Sequence, residues 1–202
     1  MRQFLRNNSN PFRIFFLARA VLAVNLACLF SFYPLLARQT VIDIHGSADQ
    51  VLAQHRGKVL VFVFVRTDCP ISNRYAPLLQ EMNKKYGQQA SFRLVFPDRN
   101  ESTDKIRHYL REYGYQLPAI RDLDHALVKK TMAKATPEAA VFDAKGELVY
   151  HGRIDNLYEH IGQSRRVATT HELADAIEAA SKGLHPPVAT TEAVGCFISD
   201  LG

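Results

Sequence analysis

Cys69 is the residue best placed to do chemistry. It lies in Thr67-Asp68-Cys69-Pro70-Ile71-Ser72-Asn73-Arg74-Tyr75-Ala76-Pro77, preceded by an all-apolar run from Val59 to Val65. After it, Ile71, Tyr75, Leu78, Leu79, Met82 and Tyr86 recur at three- and four-residue steps. The first run has the composition of a strand buried on both faces, and the second that of an amphipathic helix stopped by Gly87. Cys69 therefore falls at or just before the first helical turn, with Pro70 near N1, where a missing backbone N–H costs nothing. Free amides and the positive end of the helix dipole favour a thiolate there, and the thiolate is the nucleophile. Asp68 opposes ionisation, and Arg66, two residues from it, partly offsets that effect. The competing reading of Cys69 is a buried structural thiol. Its place at a strand-to-helix switch, where open α/β sheets bind ligands, favours the redox reading.

Beyond the cysteine, the pattern resembles the thioredoxin superfamily. That superfamily carries Cys-x-x-Cys at a helix start with an Ala-Pro kink further on; Cys69 and Ala76-Pro77 keep the spacing, and Ser72 stands where the second cysteine would be. The stretch from Ala135 to Gly152, with Thr136-Pro137 near its start and Asp143-Ala144-Lys145-Gly146 at its turn, resembles the segment of cis-proline, strand, turn and strand. Phe92 to Asp98, a helix, and Leu117 to Asp122 resemble the inserted unit of redoxins. These are the alkyl-hydroperoxide-reductase/thiol-specific-antioxidant group and the membrane-anchored thiol-disulfide oxidoreductases. The similarity covers residues 40–183.

The resemblance implies an α/β fold: a thioredoxin-like three-layer sandwich with a central mixed sheet, a redoxin-type insertion and a C-terminal tail. It also implies thiol-disulfide exchange by Cys69, with no bound organic cofactor and no metal. The loop of Thr136 and Pro137 would face the cysteine, the Thr136 backbone pairing with a substrate chain as an added strand. Pro70 and Arg153 join these as expected substrate contacts. For Arg153 a solvated ion pair with Asp155 stands as the alternative to a substrate or tail contact. Expected partners are protein or small-molecule thiols and disulfides and an upstream reductant.

With Ser72 in place of the adjacent thiol, Cys69 needs another partner to close a disulfide, and Cys196 is the one other cysteine past the N-terminal apolar segment. Three readings stand for it: a pair with Cys69 within the chain, a link across a dimer, and a free thiol. Sequence separation does not decide, because closure entropy grows only logarithmically with loop length. Pro186-Pro187 detaches the tail that carries Cys196, which reads as an arm moving between docked and released states, with Phe197 and Ile198 as apolar groups that dock beside Cys69.

Other classes compete with exchange chemistry. Peroxiredoxin-like sites place a threonine or serine three residues before the cysteine and a proline seven before it; Arg66 and Phe62 fill those positions here. A copper-binding assembly factor would use a C-x-x-x-C pair and a distant histidine, and Asn73 occupies the second position. A non-catalytic module that keeps the fold alone is the third alternative.

Composition narrows the field further. Of 25 basic residues, Arg2, Arg6, Arg13 and Arg19 precede position 38, where no acidic residue occurs, and the remaining 21 face 20 acidic ones. The net charge of +5 is thus largely that of the N-terminal segment, and no nucleic-acid footprint is present. Residues 1–37 read as a signal peptide or an uncleaved membrane anchor, its apolar part at 14–37, and Cys28 within it as a small apolar residue. The positive-inside tendency then puts the rest outside the cytoplasm, where thiols can be oxidised. Residues 38–185 form the expected domain and 186–202 the tail. The expected elements are a strand at Val41 to Ile44 and helices at Ala48 to His55, Thr103 to Tyr113 and Leu123 to Met132. A hairpin crosses Asp143 to Gly146, and a last helix starts at Thr169, where Glu172 completes a capping box.

Overall fold

Every residue of β2 (Val59–Phe64) is buried, and its alternation feeds two cores. Val59, Val61 and Val63 face one, and Leu60, Phe62 and Phe64 face the other. β-branched and aromatic side chains suit such a doubly covered strand. In this computed structural model, which describes residues 41–44 and 48–199, β2 is the centre of a six-stranded sheet. It pairs in parallel with β3 (Ala90–Phe96) and antiparallel with β6 (Glu138–Phe142). The sheet continues through β4 (Ala119–Asp122) to β1 (Val41–Ile44) on one side and to β7 (Leu148–Gly152) on the other. It is parallel from β1 to β2 and antiparallel from β2 to β7.

Helices cover both faces. α1 (Asp49–Ala53) and α4 (Ala126–Thr131) bring Val51, Leu52, Leu127 and Val128 to the core of Phe62 and Phe64. α2 (Pro70–Tyr86), α3 (Thr103–Glu112) and α5 (Glu172–Ser181) bury Leu79, Ile106 and Ile177 on the opposite face. Each such side chain withdrawn from water contributes about 1.5–3 kcal/mol. The result is the expected three-layer α/β sandwich with a mixed sheet. Residues 1–37, read as signal or anchor, and Cys28 within them lie outside the described residues. Among the described residues no helix is long and apolar enough to cross a membrane.

Two helix starts lie three residues later than the sequence reading places them. α4 was expected from Leu123 but begins at Ala126, because the Asp122 carboxylate accepts hydrogen bonds from the amides of Ala126 and Val128. His125 and Met132 both take left-handed backbone conformations and bound the helix. α5 begins at Glu172, not Thr169, and its N-cap His171 makes no side-chain cap. The capping box fails because Glu172 accepts from Arg153 and from the Thr170 hydroxyl, while Thr169 Oγ1 is held by Asn156.

After α5 the chain turns back and runs along the outer edge of β7. His151 N–H donates to Ala189 O, and Thr191 N–H donates to His151 O. β8 (Tyr158–His160) and β9 (Gln163–Ser164) pair with each other ahead of α5; the tail then crosses to β5 (Ala135–Thr136) and pairs with it antiparallel as β10 (Cys196–Phe197). Two glycines permit this approach. A Cβ on Gly152, whose φ is +141°, would lie 2.3 Å from Thr191 O, and one on Gly195 would lie 2.1 Å from Thr136 O.

Candidate functional site

Three segments meet at Cys69. The residue caps α2 with extended backbone, φ −88° and ψ 111°, and Pro70 opens the helix. Its side chain is fully buried, 0 % exposed. Its Sγ lies 3.0 Å from Thr136 O and 2.8 Å from Cys196 Sγ, and both cysteines are free thiols. The loop of β5 supplies the first neighbour through the cis Thr136-Pro137 peptide, and the tail supplies the second. Thr136 also donates its hydroxyl to Cys196 O, so one residue touches both halves of the pair.

The two thiols are electrostatically unequal. Burial is the largest influence on Cys69 and pushes its thiol up. The Cys196 thiol, which donates to Cys69 Sγ, and the nearby Ser72 amide and hydroxyl outweigh it, and the net shift is downward. The Ser72 hydroxyl is buried and has no hydrogen-bond partner of its own. Cys196 moves the other way: burial, and then its bond to Cys69, push it up to about 11. Cys69 is therefore the more acidic of the two, and the Cys196 thiol donates its hydrogen to Cys69 Sγ. Asp68, the expected counterweight, is exposed and ion-paired with Arg66 at 3.0 Å; Arg66 also reaches Asp98 at 3.5 Å.

The AhpC/TSA family matches residues 39–151, more than half of the sequence. The chain belongs to the AhpC/TSA family. Solved structures agree in fold with this AhpC/TSA chain. A hypothetical protein from Sinorhizobium meliloti 1021 superposes with a TM-score of 0.64 at 24% identity, over 75% of this chain and 85% of its own. An uncharacterized conserved protein from Geobacillus kaustophilus gives 0.62 at 21%, over 71% and 78%. A thioredoxin-like protein in the oxidized form gives 0.51 at 22%, over 66% and 84%. No curated protein matches the sequence. Family and fold together place the AhpC/TSA chain among the thioredoxin-like redoxins.

The other expected site residues divide. The Thr136 carbonyl meets Cys69 and Pro137 follows it across a cis peptide, while the strand partner of Thr136 is the chain's own tail. Pro70 is exposed at the first helical position. The pair expected between Arg153 and Asp155 does not form. The Arg153 guanidinium is bound to Glu172, with Nε–Oε1 at 3.0 Å, and Asp155 accepts from the Tyr75 hydroxyl and the Leu157 amide. Arg153 meets the tail through its main chain, its N–H donating to Thr191 Oγ1 at 3.0 Å. Phe197 was expected to dock and does not. Alternation along β10 sends Cys196 toward Cys69 and Ile198 into the core of Leu127 and Val128, and leaves the Phe197 ring 76% exposed. That ring lines an open groove of about 600 Å³ with Tyr158 and Ile161.

Two carboxylates went unforeseen. Glu138, nearly buried, accepts from the amides of Lys134 and Ala135 at 2.8 and 3.0 Å and so holds β5 in place to receive the tail. A lone acid just after Pro137 in an otherwise apolar strand was the sequence signal for it. Glu101, fully buried, accepts from the Thr67 amide and hydroxyl, and burial raises its pKa. Nothing local marks Glu101, because its partner is distant in sequence. Among the described residues no group of three or more His, Cys, Asp or Glu side chains converges as a metal site would require.

Proposed function

We propose that the protein is a thiol-disulfide oxidoreductase acting outside the cytoplasm, with Cys69 as the nucleophile and Cys196 as the resolving thiol. The observation that carries this reading is the 2.8 Å approach of the two sulfurs, within reach of a bond of about 2.05 Å after a small movement of the tail. The Cys69 thiolate attacks one sulfur of a substrate disulfide, forming a mixed disulfide and expelling the other sulfur as a thiolate. Cys196 then loses its proton and attacks Cys69 Sγ; the substrate's second thiolate leaves and the Cys69–Cys196 disulfide closes. The substrate gains two electrons and the protein loses two. Substrates are protein or small-molecule disulfides, and an external thiol reductant returns the pair to its reduced form.

Export rests on residues 1–37, with their arginines ahead of an apolar run and no acidic side chain. Peroxide reduction has less support. The Thr67 hydroxyl is engaged by Glu101 and the Arg66 guanidinium by Asp68 and Asp98, so the groups nearest Cys69 in sequence are committed elsewhere.

Trapping tests the reading. With a disulfide substrate, Cys196→Ser should accumulate a mixed disulfide at Cys69 at least tenfold over the unaltered chain, and Cys69→Ser should show none and no turnover. Equal adduct with and without Cys196 would remove the tail thiol from the cycle, and undiminished turnover in Cys69→Ser would remove Cys69.

A further inference from the structure

Resting on that reading, the oxidised protein poses a question of access. The β5 edge at Thr136, where a partner chain would add as a strand, is already paired with Cys196 and Phe197. Closing the disulfide ties the tail to that edge covalently. Cys69 is then sealed: it is 0% exposed even as a free thiol, beneath the tail, the Thr136 carbonyl and the start of α2. Cys196 differs, being only partly buried. A thiolate must approach a disulfide along the S–S axis, from behind the sulfur it attacks, so the exposed sulfur is the one that can be reached.

We propose that the external reductant, a thiol, attacks Cys196 and not Cys69, so that electrons reach the pair through the tail. The incoming thiolate forms a disulfide with Cys196 Sγ, the Cys69–Cys196 bond breaks, and Cys69 leaves as the thiolate. A second external thiolate attacks the reductant sulfur of that mixed disulfide; an external disulfide departs, and Cys196 takes up a proton. Two external thiols are oxidised to one disulfide and the protein disulfide is reduced to two thiols. Cys69 is the better leaving group of the two, because the Ser72 amide and the helix start remain to stabilise its thiolate. The two halves of the cycle thus use different sulfurs, Cys69 toward the substrate disulfide and Cys196 toward the reductant. An external chain can pair with Thr136 only when the tail leaves β5, which the covalent link prevents in the oxidised protein.

The test is regiochemical. The full chain is oxidised, and its intact mass must show the loss of two hydrogens in a Cys69–Cys196 link; failure at this step sinks the underlying reading before the inference is reached. The linked protein is mixed with glutathione in one run and with a protein monothiol in another, quenched with N-ethylmaleimide within seconds, and mapped by peptide mass. The expected result is thiol adduct on Cys196 and maleimide on Cys69, with adduct at Cys196 at least tenfold above that at Cys69 from either source. Adduct on Cys69, equal adduct on both, reduction without adduct at Cys196, or a link that neither thiol opens would each overturn the inference.

Discussion

Cys196 stands directly opposite Thr136 in a two-residue antiparallel ladder, and this pairing holds its sulfur 2.8 Å from that of Cys69. The tail occupies the β5 edge that the proposed function assigns to a substrate strand, through main-chain bonds that any extended segment can make. On the proposed reading, position 196 supplies the second thiol that Ser72 does not, through a long return of the backbone.

The close approach at Gly195 gives a first prediction. A methyl group there would meet Thr136 O at 2.1 Å, far inside contact distance, so Gly195→Ala must push β10 away from β5. Disulfide closure after oxidation should slow at least tenfold while the six-stranded sheet stays intact, since β10 is not part of it. Stopped-flow alkylation of remaining thiols, alongside far-ultraviolet circular dichroism, reads both. Closure at the unaltered rate would mean that the strand pairing does not position Cys196.

The unequal thiols set a pH dependence. In the reduced Cys28→Ser protein, which leaves only Cys69 and Cys196 to titrate, thiolate absorbance should rise in two steps, the first below the ordinary thiol value near 8.5 and the second near 11. The signs for stability follow. Cys69, lowered by folding, contributes stability that is present above its unfolded value and lost as pH falls through its folded one. Cys196, raised by folding, contributes stability that is present below its unfolded value and lost as pH rises toward 11. A single two-proton step near 8.5 would contradict the coupling.

Phe197 and Ile198 should separate cleanly. Ile198 is 6% exposed in the core with Leu127 and Val128, so Ile198→Ala should cost about 2–4 kcal/mol, seen in chemical denaturation. Phe197→Ala, at 76% exposure, should stay within about 0.5 kcal/mol. Similar costs for both would show that the tail does not rest on Ile198.

Ser72 offers a local competitor. It occupies the third residue of α2, fully buried beside Cys69, with no full hydrogen bond to lose. Ser72→Cys should therefore divert most of the oxidised link to the introduced thiol, leaving Cys196 open to alkylation. An introduced thiol that stays free under oxidation would show that the helix start cannot close a local bond.

What was legible in the sequence was local. The apolar run of β2, the periodicity of α2, Pro70 at its start and the segment around Thr136-Pro137 each carry their own pattern, and each stands where that pattern put it. What was not legible depends on partners far along the chain. Arg153 has an acid two residues away in Asp155, but folding gives it Glu172 and gives Asp155 to Tyr75. That same exchange removes the capping box and shifts the start of α5. The orientation of Phe197 depends on which face of β10 meets β5, and a one-residue change of register would have reversed it. Glu101 and Glu138 are spent on backbone amides that only the fold brings near them. Gly195 was the available clue to the tail, since a glycine beside a lone cysteine marks a close backbone approach.

The most direct measurement is disulfide mapping of the oxidised native protein. After mild oxidation, alkylation of free thiols and proteolysis, the account predicts one dominant linked species joining the peptides that carry Cys69 and Cys196, lost on reduction and absent from Cys196→Ser. Cys69 and Cys196 both alkylated after oxidation, or Cys69 linked instead to Cys28 or to a second copy of the chain, would contradict it.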